Sequence, residues 1–282
     1  MNNREVQALI KLLDDDDNFV VETVEGRLLD IYDGLTPFDL KLLYNSAKGK
    51  AKSRFENIAR RKSGIYFEER IKDWFIRPSD PVEPLFLISR LFEPFIDEDY
   101  FFNFFDSINE LIPDNFLHNF SPLEQANIIT GIFFGDRHIR TNMRPPIYKS
   151  YIPSNVIKYK QGSPLTIATM IVVVANRLGL EWILNFDLPY RQVLIAIPSG
   201  KDSDFFFIDP RFGSIISDVP EDFDAKEMNN PQNIMEQVPD KTVYNIIPLL
   251  TVFLQENFLP RHMDSQWYAI KRVVDFLQKL YK

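Results

Sequence analysis

Few residues of this chain are suited to covalent chemistry. Its 282 residues include no cysteine and only three histidines, which are His118, His138 and His262. Without cysteine the chain has no disulfide, no thiolate metal site, no iron–sulfur cluster and no thiol nucleophile. The histidines are far apart in the sequence and form no paired motif such as H-E-x-x-H, so the sequence predicts no metal site and no cofactor.

Two hydroxyl groups remain as candidate nucleophiles. Ser163 and Thr166 stand at the start of a strongly apolar stretch that is predicted to be a helix. A serine or threonine becomes a nucleophile only when a neighbouring base removes its proton, and the nearest histidine in the sequence is His138. At the start of a helix these residue types more often accept a backbone N–H as an N-cap, which is the favoured interpretation.

Composition and charge narrow the class of protein. Hydrophobic residues make up 45% of the chain and charged residues 26%, which is typical of a globular protein and excludes a wholly disordered one. The net charge of −8 disfavours nucleic acid as a partner, because attraction to phosphates requires a basic surface. No apolar run is long enough to cross a membrane, and the first residues lack the apolar core of a signal peptide, so we expect a cytoplasmic protein.

The charges are unevenly spread along the chain. Between residues 48 and 62 seven bases stand against one acid, and between residues 81 and 130 nine acids stand against one base. The basic stretch is consistent with an anionic partner. It is also consistent with a solvated helix face that lies near the acidic segment of the same chain, and this second interpretation is favoured because charge runs usually lie on exposed faces.

The first 75 residues show helical spacing of their apolar residues, interrupted by the run Asp14-Asp15-Asp16-Asp17-Asn18. Four adjacent carboxylates suggest calcium, but the glycine and the terminal glutamate of an EF-hand loop are missing. Aspartates that precede a helix cap its free N–H groups, so we expect capping. Two helices joined by such a turn resemble one helical-repeat unit.

The remaining elements predict an α+β fold. Pro78, Pro81 and Pro84 indicate a boundary, after which further helical patterns follow. Residues 165–178 are apolar nearly all round and end at Gly179, which predicts a buried helix. Three short strands are predicted next, and antiparallel pairing is expected because a hairpin connection joins the last two; the tail returns to helix. The predicted strands are residues 182–186, 192–197 and 205–208.

Four motifs follow one another in the second half of the chain, which are Gly162-Ser163-Pro164-Leu165-Thr166, Arg177-Leu178-Gly179, Leu188-Pro189 and Asp209-Pro210-Arg211-Phe212-Gly213. In this order they resemble the bacterial SirB-type branch of the transglutaminase-like superfamily. The branch has a Gly-x-Pro-(Ile/Leu)-(Ser/Thr) motif that opens a buried helix ending in Arg-Leu-Gly, then a Leu-Pro-x-His-Phe strand, then an Asp-Pro or Asn-Pro turn closing on glycine. The resemblance implies a papain-like core of a buried helix on an antiparallel sheet.

The resemblance also implies a division of the chain. Residues 1–77 look like the helical-repeat leader of some members, residues 82–220 like the transglutaminase-like domain, and residues 221–282 like a shortened tetratricopeptide-like tail. These boundaries are predictions.

The resemblance implies that the catalytic residues are lost. The enzymes of the superfamily use a cysteine at the start of the buried helix, a histidine on the following strand and an aspartate on the next. The cysteine position falls at Ser163 or Pro164, the histidine position reads Arg191, and only the acid remains, as Asp209. An arginine stays protonated and does not act as a general base. The expected role is therefore that of a pseudoenzyme that binds or scaffolds a protein or peptide partner, with no nucleic acid, membrane or cofactor.

Two alternatives depend on the same positions. The first is a hydrolase or transferase in which Ser163 or Thr166 is the nucleophile, with His138 and Asp209 completing a triad. The second is an ion pair between Arg191 and Asp209, which would tie two adjacent strands together at the vestigial site. The ion pair is the favoured interpretation of these two residues.

Overall fold

The protein is described by a computed structural model, which covers residues 3–142, 147–187, 192–199, 205–216, 241–255 and 258–280. Helices dominate, and a four-stranded sheet lies in the second half of the chain. The helices are α1 (Asn3–Leu12), α2 (Asn18–Ile31), α3 (Pro37–Ser46), α4 (Gly49–Ile76), α5 (Glu83–Phe92), α6 (Glu98–Asn109), α7 (Phe116–Asn119), α8 (Pro122–Thr130), α9 (Pro153–Tyr159), α10 (Pro164–Arg177), α11 (Lys241–Val252) and α12 (Asp264–Leu280). The strands are β1 (Arg140–Thr141), β2 (Gln161–Gly162), β3 (Ile183–Asp187), β4 (Gln192–Pro198), β5 (Phe205–Asp209) and β6 (Ser214–Ile216).

The Asp-rich turn caps α2, as predicted, and it also caps α4, which the sequence does not predict. Asp17 accepts the backbone N–H of Phe19 and so caps α2. Asp14 accepts the backbone N–H groups of Lys50 and Ala51 at 3.1 and 3.3 Å, which caps α4 from a distant point in the sequence. Each aspartate satisfies N–H groups that a helix start leaves without a partner.

The basic residues at the start of α4 contact acids of the first helices. Lys50 pairs with Asp16 and Lys62 with Asp33, each at 2.7 Å. The prediction that this face lies near acids of the same chain is therefore met by the Asp-rich turn and Asp33. Within the described ranges, no salt bridge joins the basic stretch to the acidic segment of residues 81–130, although Arg60 lines the same cleft as Glu93 and Asp97.

The long helix α4 connects two hydrophobic cores. Phe55 and Ile58 are buried with residues of α1, α2 and α3. Phe67 and Trp74, further along the same helix, are buried in the main core of the molecule. One continuous helix therefore joins the N-terminal helices to the rest of the chain.

The main core forms around α10, which is buried along its whole length from residue 165 to residue 175. The strands β3, β4, β5 and β6 pair in that order, and every pairing is antiparallel. The helix packs on β3 and β4. These findings confirm the predicted buried helix on an antiparallel sheet, and the molecule is a mixed helix and sheet protein.

Both faces of the sheet are covered. Leu184, Ile195 and Ile208 belong to the main core on the α10 side. Ile183 and Leu194, which point to the opposite face because side chains alternate along a strand, are buried in a smaller cluster beside Tyr244 of α11. Apolar residues in succession, rather than alternation, are the expected sequence pattern of such strands.

The C-terminal helices complete the same core. Asn245 of α11 accepts the backbone N–H of Leu184 at 2.8 Å and donates to Trp182 O at 3.0 Å, which fixes α11 to β3. The helix α12 packs along α4. Among the described residues, no helix combines the length and the apolar character that a membrane span requires.

Candidate functional site

The start of α10 is the position that the resemblance assigns to the nucleophile. Ser163 is fully buried and caps the helix, because its Oγ accepts the backbone N–H of Thr166 at 3.1 Å. Its Oγ also lies 2.8 Å from Thr166 Oγ1. Thr166 Oγ1 donates to the carbonyl of Ser150 at 3.1 Å, so the proton between the two hydroxyls belongs to Ser163. Both hydroxyls are therefore used inside the fold, as the capping interpretation predicts.

The local sequence explains this geometry. Pro164 occupies the first position of α10, where its missing N–H costs nothing. At Gly162 a Cβ would lie 2.5 Å from Val156 Cγ2, so only glycine lets β2 approach α9 this closely. The N–H of Ser163 donates to the same Ser150 carbonyl at 2.9 Å. The residues around Ser163 hold it in a closed, buried network.

Asp209 is held by an arginine two residues later in the chain. Its side chain is 5% exposed, and Arg211 Nε lies 3.0 and 2.9 Å from its two oxygens while Nη2 lies 2.7 Å from Oδ2. The backbone N–H of Arg211 also donates to Oδ1 at 2.9 Å. This bidentate pair neutralises the buried carboxylate and stabilises the turn after β5.

The turn that contains this pair is tightly packed. Gly213 has φ +69° and donates its N–H to Asp209 O at 2.8 Å. A Cβ at Gly213 would lie 2.4 Å from the ring of Phe134, which packs over the turn. The motif Asp-Pro-Arg-Phe-Gly therefore builds a rigid corner. The sequence signal for the ion pair of Asp209 and Arg211 is an aspartate and an arginine on either side of a proline in a turn.

Arg191 lies outside the described residues, as do Leu188, Pro189 and Tyr190. The predicted ion pair between Arg191 and Asp209 therefore stays a prediction. The described partner of Asp209 is Arg211, which sequence reasoning did not assign to it.

The three members of the hypothetical triad belong to segments that meet. His138 lies just before β1, Ser163 lies just after β2, and these two strands pair in parallel. Thr141 of β1 donates its hydroxyl to the carbonyl of Pro210, beside Asp209. The side chains nevertheless form no triad, because the His138 imidazole is exposed and makes no hydrogen bond to any described residue.

A cleft of about 860 Å³ lies between the N-terminal helices and the rest of the molecule. Its walls come from α3 and α4, from the loop between α5 and α6, and from residues 147–161, with Met263 at one side. Ser163, His138 and Asp209 do not line this cleft. Ser150, whose carbonyl accepts the N–H of Ser163, does line it. Its size falls within the range of small-molecule and peptide sites.

Aromatic stacking fixes one wall of this cleft. Phe95, in the loop after α5, stacks on Tyr44 of α3 with ring centroids 4.4 Å apart. It also stacks on Phe55 of α4 at 5.9 Å. Burial of Tyr44, followed by the negative charge of Glu56, raises the pKa of the Tyr44 hydroxyl. The loop is thus anchored to the N-terminal helices by aromatic contacts.

The acids of the cleft are occupied by donors of the same chain. Glu56 pairs with Arg60, and Glu93 accepts the hydroxyl of Ser154 at 2.6 Å. Asp97 caps α6 through the N–H of Tyr100 and lies 3.8 Å from Lys41. These carboxylates have little capacity left for an added cation.

The bases of the cleft are less well matched. Within the described part of the chain, Lys149 and Lys158 form no salt bridge, and both are exposed. A hydrogen bond with Tyr159 raises the pKa of Lys158, so this side chain stays a cation. The Nε of Arg60 is buried without a hydrogen-bond acceptor among the described residues. Two exposed cations without a salt bridge to a described residue therefore remain in the cleft.

Metal chemistry has no support in the described ranges, where no group of three histidine, aspartate or glutamate side chains is arranged to hold a metal ion.

Sequence reasoning missed the cleft entirely. Its lining residues run from Tyr44 to Met263, and no local pattern links positions so far apart.

Comparison with known proteins gives one match. Residues 104–230 match the profile of the transglutaminase-like superfamily, so this segment is a transglutaminase-like domain. No curated protein and no solved structure matches the chain. The matched segment includes α10, the sheet and the Asp209 turn, whereas α1 to α5 and both C-terminal helices lie outside it.

Proposed function

We propose that this chain is a non-catalytic protein with a transglutaminase-like domain whose role is to bind a protein or peptide partner. The observation that carries the proposal is the state of Ser163. The SirB-type resemblance assigns the cysteine nucleophile to Ser163 or Pro164. Proline has no nucleophilic group, and the Ser163 hydroxyl is fully buried and used as a helix cap in a chain without cysteine.

The surrounding groups support the same proposal. A nucleophile needs a base within hydrogen-bond reach and an acid that orients the base. The hydroxyl proton of Ser163 is directed to Thr166, and the Asp209 carboxylate is bound by Arg211 on both oxygens. The His138 imidazole contacts neither within the described residues. The papain-like arrangement of the core would then serve as a scaffold.

A binding role is favoured by the cleft of about 860 Å³ beside this domain. The cleft combines aromatic walls with cations that have no salt-bridge partner among the described residues. In pockets that bind ligands, polar groups placed among apolar side chains fix the orientation of the ligand. The N-terminal helices supply one wall, which gives the part of the chain outside the matched domain a role in binding.

Labelling with active-site probes tests the non-catalytic assignment. The full chain is incubated with a fluorophosphonate probe and its intact mass is measured, together with its hydrolysis of a casein substrate. We expect no added mass and no hydrolysis above the rate without protein. The Ser163→Ala variant is the control for specificity. Stoichiometric labelling of Ser163 or Thr166, lost in the matching alanine variant, would show the Ser/Thr enzyme instead.

A further inference from the structure

We propose that the cleft binds an extended, acidic segment of a partner protein, with its carboxylates at Lys149 and Lys158 and its backbone along β2. This inference rests on the proposed binding role and names the chemistry of the occupant. Three independent features of the cleft support it: the balance of its charges, an unused strand edge and exposed apolar surface.

The charge balance favours carboxylates. Every acid that lines the cleft has a donor in the same chain, whereas neither Lys149 nor Lys158 forms a salt bridge with a described carboxylate, although Glu93 is close enough to act on the charge of Lys158. A bound segment that brings acids to these lysines would complete the pairing. A polyanion such as nucleic acid fits less well, because it would carry negative charge all along the cleft and so also beside Glu56, Glu93 and Asp97, whereas a peptide can place its acids at the lysines alone.

The edge of β2 favours a peptide backbone. The ladder with β1 uses Arg140 N to Lys160 O and Asn142 N to Gly162 O, both at 2.8 Å. Because backbone groups alternate along a strand, the N–H and C=O of Gln161 point away from β1. The N–H of Ser163, which donates to the Ser150 carbonyl, points to the same side of the strand as these two groups of Gln161. Both Gln161 and Ser150 line the cleft.

Gln161 therefore has an unused edge. No described residue forms a hydrogen bond with its backbone on this side. An added strand is the ligand that uses a donor and an acceptor on one residue of a sheet edge.

The exposed apolar surface of the cleft favours apolar side chains between the acids. Tyr159 is 61% exposed and Ile147 is 62% exposed, and both line the cleft. Successive side chains of an extended segment point to opposite sides. An alternation of acidic and apolar residues would place carboxylates toward the lysines and apolar groups toward this surface.

Selection from a random peptide library tests the proposal. Phage that display random octapeptides are selected on the immobilised full chain, and the enriched sequences are compared with those from two variants. The first variant is Lys149→Glu with Lys158→Glu. The matched control is Lys271→Glu with Lys279→Glu, which changes the charge equally at two exposed lysines of α12 outside the cleft.

We expect the wild-type chain and the control to enrich peptides rich in aspartate and glutamate. The cleft variant should lose this enrichment, and a synthetic acidic peptide from the selection should bind it at least about tenfold more weakly, because two attractions become repulsions. N-methylation of one or two backbone amides of that peptide should abolish binding, because the added methyl removes a strand hydrogen bond.

Other results would overturn the proposal. Enriched peptides without acids, or acidic peptides that bind the cleft variant as well as the control, would exclude this occupant. Failure to enrich any peptide would do the same. These results are independent of the probe experiment. Labelling of Ser163 would refute the non-catalytic assignment, but the charge preference of the cleft could still be measured by the peptide selection.

Discussion

Arg211 binds both carboxylate oxygens of Asp209, although the two residues are separated only by Pro210. The acid that the transglutaminase-like resemblance places in a catalytic triad thus has a local, bidentate partner in a tight turn. Asp209 is 3% exposed, so an ionised carboxylate at this position needs such a partner. The pair stabilises the corner between β5 and β6.

Removing the arginine should leave a buried charge without compensation. We expect Arg211→Ala to lower the free energy of unfolding by about 3 kcal/mol, since breaking a buried pair by removing one partner is strongly unfavourable. Urea unfolding monitored by circular dichroism measures the loss. Arg272→Ala is a matched control, because Arg272 pairs with Glu68 at the surface and should cost less than about 1 kcal/mol. Equal losses in the two variants would contradict a structural role for the Asp209 pair.

The predicted pair between Arg191 and Asp209 is open to a double-mutant cycle. If Arg191 contacts the carboxylate, the variants Arg191→Ala and Asp209→Asn should be coupled by about 1 kcal/mol or more in the free energy of unfolding. Additive effects, or an Arg191→Ala variant that melts like the wild-type chain, would place Arg191 away from Asp209. Arg191→His should restore no activity, because the chain has no thiol nucleophile.

The cap of α10 should matter more for stability than an exposed cap. Ser163→Ala removes the acceptor of the Thr166 N–H in the buried interior, so we expect a loss of about 1–3 kcal/mol in the free energy of unfolding. Ser121→Ala, which removes the exposed cap of α8, is the control and should lose less. Thermal unfolding of the three proteins side by side measures the difference. A Ser163→Ala chain as stable as the Ser121→Ala chain would argue against the buried network.

Glu68 predicts a pH-dependent contact between α4 and α12. Burial raises its pKa, but hydrogen bonds from Lys72 and Arg272 outweigh this effect and hold the pKa below its usual value. Because the folded-state pKa is the lower one, the ionised carboxylate stabilises the fold above the usual glutamate pKa. That contribution is lost as the pH falls through the lowered value.

We therefore expect Glu68→Gln to be less stable than the wild-type chain at pH 7 and equally stable in strong acid. Urea unfolding at a series of pH values measures the difference. Glu69→Gln, at the exposed neighbouring position, should match the wild-type chain throughout. A stability difference for Glu68→Gln that does not change with pH would show that the loss comes from packing rather than from ionisation.

Much of the fold could be predicted from local patterns. The stretch that forms α10 is apolar on all sides, and a helix of this kind is stable only when it is surrounded by other elements. The caps at Asp17, Ser121 and Ser163 are equally local, because a cap joins residues within three positions of each other. The turn pair of Asp209 and Arg211 is local as well, and the sequence contains its signal.

The sequence by itself thus determined the buried helix, the antiparallel strands, the helix caps and the absence of thiol chemistry, since each depends on residue types at short spacing. Only the tertiary structure decided that Asp14 caps α4 and that the charges of α4 meet the first helices. It alone built the cleft, whose walls come from positions 44 to 263. The physical reason is that the packing of α1 to α3 on α4, and of α5 against α9, sets these distances. Contacts of this kind depend on the shape of whole elements, which no short stretch of residues encodes.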